Sequence, residues 1–353
     1  MPPFDLKNSA LELKNDKEFI KAIVEHCNAY KGADSKRALV QLGLTLSLFF
    51  IVMGAMFVAL PISYWIAAAL ILPAAGLLTK IFVLQHDCGH GSFLNSKNAN
   101  DNIGRFLSLL TFVPYDAWRR AHNKHHATSG NIDQRCVGGV DTITVSEYQA
   151  LSHVKKFFYR FYRSPLFLIF VGSPLHVIIE QRLPFNHDTI FHDGFKTVPT
   201  KSLWKSVMLT NLSLFVFWGA LAFLLGFGAL LAIYLPVLIV TSWIGGWLFY
   251  VQHQFEDTYW EKADNWDRQE AALMGSSYYA LPKILQWFTG SIGLHHIHHL
   301  CSQIPNYKLQ DCMDAQPLLS TINKMTIKDS LNSLPLRLWC EERRILVPIK
   351  QKS

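Results

Sequence analysis

The sequence predicts an all-α integral membrane protein: four transmembrane helices as two hairpins, with a cytoplasmic helical cap that carries a dense set of histidines. Three observations lead there. Half of the 353 residues are apolar and only 17% are charged, where soluble domains carry about a quarter charged residues. The apolar residues gather in two blocks, each long enough to cross a bilayer twice. The basic residues flank these blocks, while the short connectors inside them, around Pro61 and Gly226, carry no charge.

The elements follow in chain order. Residues 1–37 are polar and mixed in charge, which is unlike a cleavable signal peptide and suits a cytoplasmic N-terminal segment. The first block runs over 38–60, breaks at "PIS", and resumes over 64–84. The second runs over 207–225, breaks at "GFG", and resumes over 229–251. A spanning helix needs roughly 20 apolar residues, so each block fits a helical hairpin. Lys31, Lys36 and Arg37 precede the first block, Arg119, Arg120, Lys155 and Lys156 lie between the blocks, and Arg343 and Arg344 close the chain. The positive-inside rule then puts both termini and the central region in the cytoplasm, with a bacterial inner membrane as the expected location.

Between the blocks, "HVKKFFYRFYR" (153–163) interleaves basic and aromatic residues and reads as a helix at headgroup level or as a solvated one. Pro165 to Ile179 is apolar but too short to span and is broken by Pro174, so it is expected to be interfacial or re-entrant. No internal repeat is evident, and one domain over 38–310 with a cytoplasmic tail over 311–353 is the economical division. The net charge of +7 comes without a reading surface of the nucleic-acid-binding kind, which argues against nucleic acid and for a cationic membrane face. Six scattered cysteines without a CxxC pair argue against a disulfide framework or a zinc ribbon.

The chain holds 15 histidines, and most fall in four tight places. "QHDCGHGSF" sets His86 and His90 at i and i+4, on one helix face. "RRAHNKHHATSGN" sets His122, His125 and His126 in an HxxHH spacing. His253 follows the last apolar run, and "LHHIHH" repeats HxxHH with His295, His298 and His299, while His296 fills one of the x positions. By the topology above, all four groups converge on one cytoplasmic patch. Neutral imidazole is a good ligand for iron, copper, zinc and nickel. A structural zinc needs only four ligands, often thiolates. Eight or nine histidines therefore fit two metals with positions left open, and paired iron is the choice that can activate dioxygen. His26, His153, His176, His187 and His192 stand alone and are read as ordinary residues.

The three boxes, their order and their placement around two apolar hairpins resemble the membrane fatty acid desaturase family over about Ala38 to Leu309. "HDCGHGSF", "HNKHHATSGN" and "HHIHHL…IPNYKL" are most similar to the acyl-lipid omega-6 (delta-12) branch. The resemblance implies a non-haem di-iron centre with two Fe ions, ligated by His86, His90, His122, His125, His126, His295, His298 and His299, with His253 as a further ligand. Phe249 stands where some acyl-CoA desaturases carry an amide ligand, and His295 is not the glutamine of the front-end branch.

The implied reaction draws two hydrogens from adjacent methylenes of a membrane acyl substrate, with O2 as co-substrate, to leave a cis double bond. A methylene offers a general base nothing to act on, so the cofactor carries the chemistry, and no separate acid or base residue is assigned. Asp87, Asp116, Glu256 and His296, together with Asp133 and Asp257, lie near the boxes and are candidate hydrogen-bond partners of the ligands. Trp118 and Trp247 are candidates for lining a substrate tunnel or for an interfacial position. Arg119, Arg120 and Lys124 suit an acyl headgroup or an acidic electron donor. The chain shows no haem, flavin or iron–sulfur motif, so electrons must come from a separate ferredoxin-like or cytochrome b5-like protein. Two competing readings remain: a related acyl or alkane hydroxylase or carotenoid oxygenase on the same scaffold, and a non-catalytic metal-binding membrane protein. The latter would place histidines inside the spans along a pathway.

Overall fold

The computed structural model describes residues 17–135, 139–184, 191 and 200–349; Cys136, His187 and His192 lie outside them. The chain opens with α1 (Lys17–Asn28) and α2 (Ser35–Ala59), the latter started by the Asp34 carboxylate accepting from the Arg37 N–H. Then come α3 (Tyr64–Ala69) and α4 (Ile71–His90). The run expected as one helix over 64–84 is thus two helices. Pro73 explains the break, because its ring would clash with the carbonyl four residues back, at Ala69. α4 is also an interior helix, buried almost continuously from Ala74 to Gly89. It packs against α2 and the later helices around it. Its one Lys, Lys80, is buried and lies 3.5 Å from the centroid of the Trp287 ring. α4 stops immediately after His90 because Gly91 takes a left-handed conformation (φ 68°).

Next are α5 (Lys97–Thr111), α6 (Tyr115–Thr128), the short strand β1 (Ile143–Thr144), α7 (Val145–Ala150) and α8 (His153–Tyr162). α8 and the helical stretch Phe167–Arg182, which includes α9 (Ser173–Ile178), meet at a bend of 68°. Together they are apolar enough to span, but they do not cross as one straight helix. α8 exposes Val154, Phe157, Phe158 and Phe161 and buries Tyr159, whose hydroxyl donates to the Arg337 carbonyl at 2.7 Å. α10 (Lys201–Leu225) and α11 (Phe227–His253) follow, packed on each other and joined at Gly226.

Among the described residues, three helices, α2, α10 and α11, are long and apolar enough to cross a bilayer. Large apolar side chains point outward along them, among them Phe50, Val58, Phe215 and Phe227, and Phe223 is 90% exposed. A continuous face of that kind is costly in water and requires lipid.

The remaining segments form a lobe around α4: α12 (Arg268–Met274), β2 (Tyr278–Tyr279), α13 (Lys283–Phe288), α14 (His295–Leu300), α15 (Asn306–Asp314), β3 (Lys324–Met325), α16 (Ile327–Ser330), β4 (Leu336–Cys340) and β5 (Ile345–Pro348). The chain is mostly helical, but five short strands among the described residues depart from the all-α expectation. They form a three-stranded sheet in the order β1-β4-β5 and a parallel β2–β3 pair. The stretch set apart as a tail from residue 311 is built into this lobe. Tyr250 of α11 donates to the carbonyls of Ser333 and Leu336 at 3.1 and 3.3 Å, and Leu346 N–H donates to the Glu256 carbonyl at 2.9 Å.

Candidate metal centre

α4, α6, α14 and the C-terminal end of α11 each deliver histidines to one buried place. Nine ring nitrogens fall into two groups, His86, His90, His122, His126 and His298 in one, His125, His253, His295 and His299 in the other, and within each the donor atoms lie within 4.8 Å of one another. Helical spacing explains the division. In each HxxHH box the first and last histidines are i and i+4, on one face, and the middle one is turned aside. His122 and His126 therefore share the five-donor group while His125 enters the four-donor group. In the last box the roles reverse: His295 and His299 join the four-donor group and His298 the five-donor group. Each box thus bridges both groups. The groups adjoin, since the His126 and His299 rings stack at 4.0 Å.

The spacing of the nitrogens suits metal ligation. His122 Nε2 lies 2.9 Å from His86 Nε2, 3.1 Å from His90 Nε2 and 3.1 Å from His126 Nε2, and His126 Nε2 lies 3.0 Å from His298 Nε2. In the other group, His253 Nε2 is 3.1 Å from the Nε2 atoms of both His125 and His295. A single imidazole nitrogen cannot satisfy three others by hydrogen bonding. Two nitrogens bound to one metal at about 2.1 Å sit roughly 3.0 Å apart at a right angle and about 3.4 Å apart at a tetrahedral one. The observed separations fall in the range that nitrogens sharing one transition-metal ion would have. His299 is buried with neither ring nitrogen partnered among the described residues, a deficit that a bound ion would remove.

The outer ring nitrogens have protein partners where the chain supplies them. His86 Nδ1 donates to Asp87 Oδ1 at 3.2 Å, and Asp87 Oδ2 accepts from the Asn306 N–H at 2.7 Å and the Asn306 amide at 2.8 Å. Gln41 in turn donates to Asn306 Oδ1 at 2.8 Å. His253 Nδ1 donates to the Gly275 carbonyl at 3.0 Å. Such bonds fix ring orientation and tautomer.

Burial holds His122, His125, His126, His295, His298 and His299 well below the ordinary imidazole value of 6.5, and neighbouring imidazoles push the same way. The neutral ring is the form that binds metal. In the metal-free protein these rings stay neutral where the unfolded chain takes up protons. Stability is therefore undiminished above about pH 6.5 and falls as pH drops below it, by at most about 1.4 kcal/mol per pH unit for each such ring. Thermal unfolding of metal-free protein is expected to shift to lower temperature as pH is lowered towards about 5; a midpoint unchanged over that range would contradict the burial of neutral rings.

Chemistry and geometry together are matched by kinship. Residues 38–319 match the family model for fatty acid desaturase.

The chain belongs to the fatty acid desaturase family. Members of that family are oxidoreductases. A fatty acid desaturase of Bacillus subtilis is 39% identical over 331 residues, covering 94% of this chain and 91% of the relative. The sn-1 acyl-lipid omega-3 desaturase (ferredoxin) of Synechocystis is 31% identical, covering 69% of this chain and 65% of its own. The sn-1 oleoyl-lipid 12-desaturase of Synechocystis is 26% identical over 66% of this chain and 63% of its own. The match to these two cyanobacterial desaturases thus spans just under two thirds of their length.

Within this desaturase, the nine histidines named from sequence come together, while their supposed neighbours divide. Asp87 touches His86 directly. Asp116 instead receives Arg105 at 2.8 and 3.1 Å, with Arg119 at 3.5 Å. Glu256 is exposed beyond the end of α11, and Asp133 accepts from the Ala263 N–H at 2.8 Å. His296, wholly buried, stands outside both groups and pairs through Nε2 with the Leu319 carbonyl at 2.9 Å. Burial pushes its ring down to about 4. Trp118 stacks on His122, whereas the Trp247 indole donates to the Tyr279 hydroxyl at 3.2 Å. Asn306 and Gly275 were not legible as site residues. Asn306 lies in the "IPNYKL" motif, but nothing in its spacing points to Asp87. A small open cleft of about 40 Å³ reaches the four-donor group, with His125, Phe249, His253, Gln254 and Thr258 in its wall.

Proposed function

We propose that this chain is a membrane acyl-lipid desaturase of the omega-6 (delta-12) type, which uses O2 and a di-iron centre to place a cis double bond in a lipid-linked acyl chain. The observation that carries this reading is the pair of adjoining all-histidine groups, with five and four donors, bridged by both HxxHH boxes. Two irons bound there supply the oxidising power that an unactivated C–H bond requires. The overall change is removal of two hydrogens from the acyl chain, with O2 taking them, two electrons and two further protons to give two waters.

The protein's part is placement. His86, His90, His122, His126 and His298 hold one iron, and His125, His253, His295 and His299 the other. Asp87 and Gly275 orient His86 and His253. The cleft beside His125 and His253 would give access to a metal held by the four-donor group. Phe249 presents an apolar ring 5.5 Å from both His125 and His253, which keeps that side of the group dry and suits a hydrocarbon. Fixing which methylenes approach is the main source of specificity in such a reaction.

The same reading places four crossings in the membrane, α2, the α3–α4 pair, α10 and α11, as two hairpins. Both termini and the metal centre then face the cytoplasm. Electrons come from a separate ferredoxin-like or cytochrome b5-like protein; two of the relatives carry ferredoxin in their names.

Expression in a host that makes only saturated and monounsaturated fatty acids tests the reading. A new diene with its second bond on the methyl side is the expected product. A monoene from a saturated chain would overturn the omega-6 assignment, and an added oxygen atom would make the chain a hydroxylase.

A further inference from the structure

We propose that Cys27 and Cys312 form a reversible disulfide, closed by peroxide, that clamps together the helices behind the third histidine box. The pair does not depend on the di-iron reading above; only the iron readout in its test does.

The two thiols lie 285 positions apart in the chain, and the fold brings their sulfurs to 3.8 Å. Cys27 is on α1 and Cys312 on α15, and both are wholly buried. His26, beside Cys27, donates through Nε2 to the Cys312 carbonyl at 2.9 Å, which holds the two helices in this register. A disulfide sets its sulfurs about 2.05 Å apart, so the pair must close by about 1.8 Å. α1 can supply that movement. It is a single 12-residue helix over the pair, and its outer face, with Lys17, Glu18, Lys21 and Glu25, is exposed. An edge of this kind opens locally at low cost and admits a small oxidant. Cys301, the third thiol of the same core, has its own partner in the Asn28 side-chain carbonyl at 3.8 Å.

The two cysteines also differ in the way the chemistry needs. Their contact holds Cys312 below the ordinary thiol value and pushes Cys27 above it, so Cys312 is the sulfur that reacts first. The Cys312 thiolate attacks hydrogen peroxide, and the O–O bond breaks to give a sulfenic acid and hydroxide. Cys27 then attacks that sulfur, the S–S bond forms, and the S–O bond breaks with loss of water. Two thiols and one peroxide thus give one disulfide and two waters. Each sulfur loses one electron and the peroxide gains two. Peroxide is what O2 becomes when two electrons and two protons reach it without a substrate, so an O2-consuming centre is itself a local source.

The position of the pair gives the bond its effect. Through Ile20, Ile23 and Cys27, α1 shares one core with Leu294, Ile297 and Cys301, on the back of the box that carries His295, His298 and His299. α15 begins at Asn306, which holds Asp87 and through it the His86 ring. A bond from α1 to α15 therefore ties the brace of the third box to the contact that orients the first.

The test uses the full-length protein in lipid nanodiscs, loaded with iron, before and after hydrogen peroxide that is then removed with catalase. Wild type, C27S, C27A and C301S are compared. Non-reducing peptide mapping should find a Cys27–Cys312 link in oxidised wild type and C301S, with two fewer free thiols and full reversal by dithiothreitol. Oxidised wild type should unfold about 5 °C or more higher and yield iron to a chelator about threefold or more slower. Peroxide should move neither readout in C27S or C27A. Thiols that stay free, a link through Cys301, or sulfinic acid at Cys312 in place of the link would overturn the proposal. So would a link that leaves both readouts unchanged, because the pair would then clamp nothing. A raised midpoint with unchanged iron release would overturn the reach of the clamp to the metal centre. Wild-type protein that binds no iron would refute the di-iron reading, while the link and the midpoint would still decide the clamp.

Discussion

Replacing His122 with alanine is expected to abolish desaturation and to empty the five-donor group while the protein remains folded in the membrane. His122 Nε2 is the hub of that group, at 2.9 to 3.1 Å from the donor nitrogens of His86, His90 and His126. Loss of a residue that only orients a ligand commonly costs 10- to 100-fold in metal affinity or activity, so loss of the ligand itself should exceed about a hundredfold. His125→Ala should act on the other group and leave the five-donor set intact. The informative control is His296→Ala. That ring is as deeply buried as the ligands and sits among them in sequence, yet it points to the Leu319 carbonyl. Its removal is expected to leave the iron content unchanged and to cost about 1–3 kcal/mol of stability through the orphaned carbonyl. Iron analysis and fatty acid profiling of the three variants separate these outcomes. Full activity in His122→Ala, or iron loss in His296→Ala equal to that in His122→Ala, would show that the division of the boxes is wrong.

Asp87→Leu is expected to be nearly as damaging, although Asp87 binds no metal. Its carboxylate joins box one to the segment after box three, accepting from Asn306 through two bonds and from His86 through a third. An apolar replacement leaves the Asn306 N–H and amide buried without partners, at about 1–3 kcal/mol each, and frees the His86 ring to rotate. Iron affinity should fall about 10- to 100-fold, together with a lower thermal midpoint. Asn306→Leu removes only the side-chain amide bond, because the backbone N–H remains, and should lower stability with a smaller effect on iron since His86 keeps Asp87. Chelator competition and thermal unfolding report the two effects separately. Unchanged iron retention in Asp87→Leu would show that His86 needs no orienting partner.

Much of this site could be read in the sequence, for a definite reason. Ligands at i, i+3 and i+4 lie within one turn of helix, so the three boxes announce themselves locally. That two ions rather than one are implied follows from the number of rings. Which ring serves which group does not follow from spacing alone, because it depends on how α4, α6 and α14 are turned towards one another. His86 and His90 share their group with His122, His126 and His298, which a chain position cannot reveal. The acids show the same limit. Asp87, Asp116 and Glu256 all lie within six residues of a histidine of the site, yet of these three only Asp87 faces a ligand, while Asp116 is taken by Arg105 and Glu256 lies in the open.

The fold was legible to a similar degree. Long apolar runs identify α2, α10 and α11, where composition alone decides. The run over 64–84 reads as one span on composition, but Pro73 divides it and the second part is a buried helix that carries two of the ligands. Its apolar side chains pack mainly on other helices, and packing of that kind looks like lipid contact in sequence. The strands of two to five residues are too short to show alternation, and their pairing depends on partners far along the chain, such as Ile143 with Leu338.

The central claim is that each HxxHH box serves two ions at once, so that nine histidines hold a pair of metals. Metal analysis of the purified protein, produced in iron-replete cells and isolated anaerobically, tests it most directly. Two irons per chain are predicted, falling to one in both His122→Ala and His125→Ala. A single metal per chain in wild type, or zinc in place of iron, would contradict it.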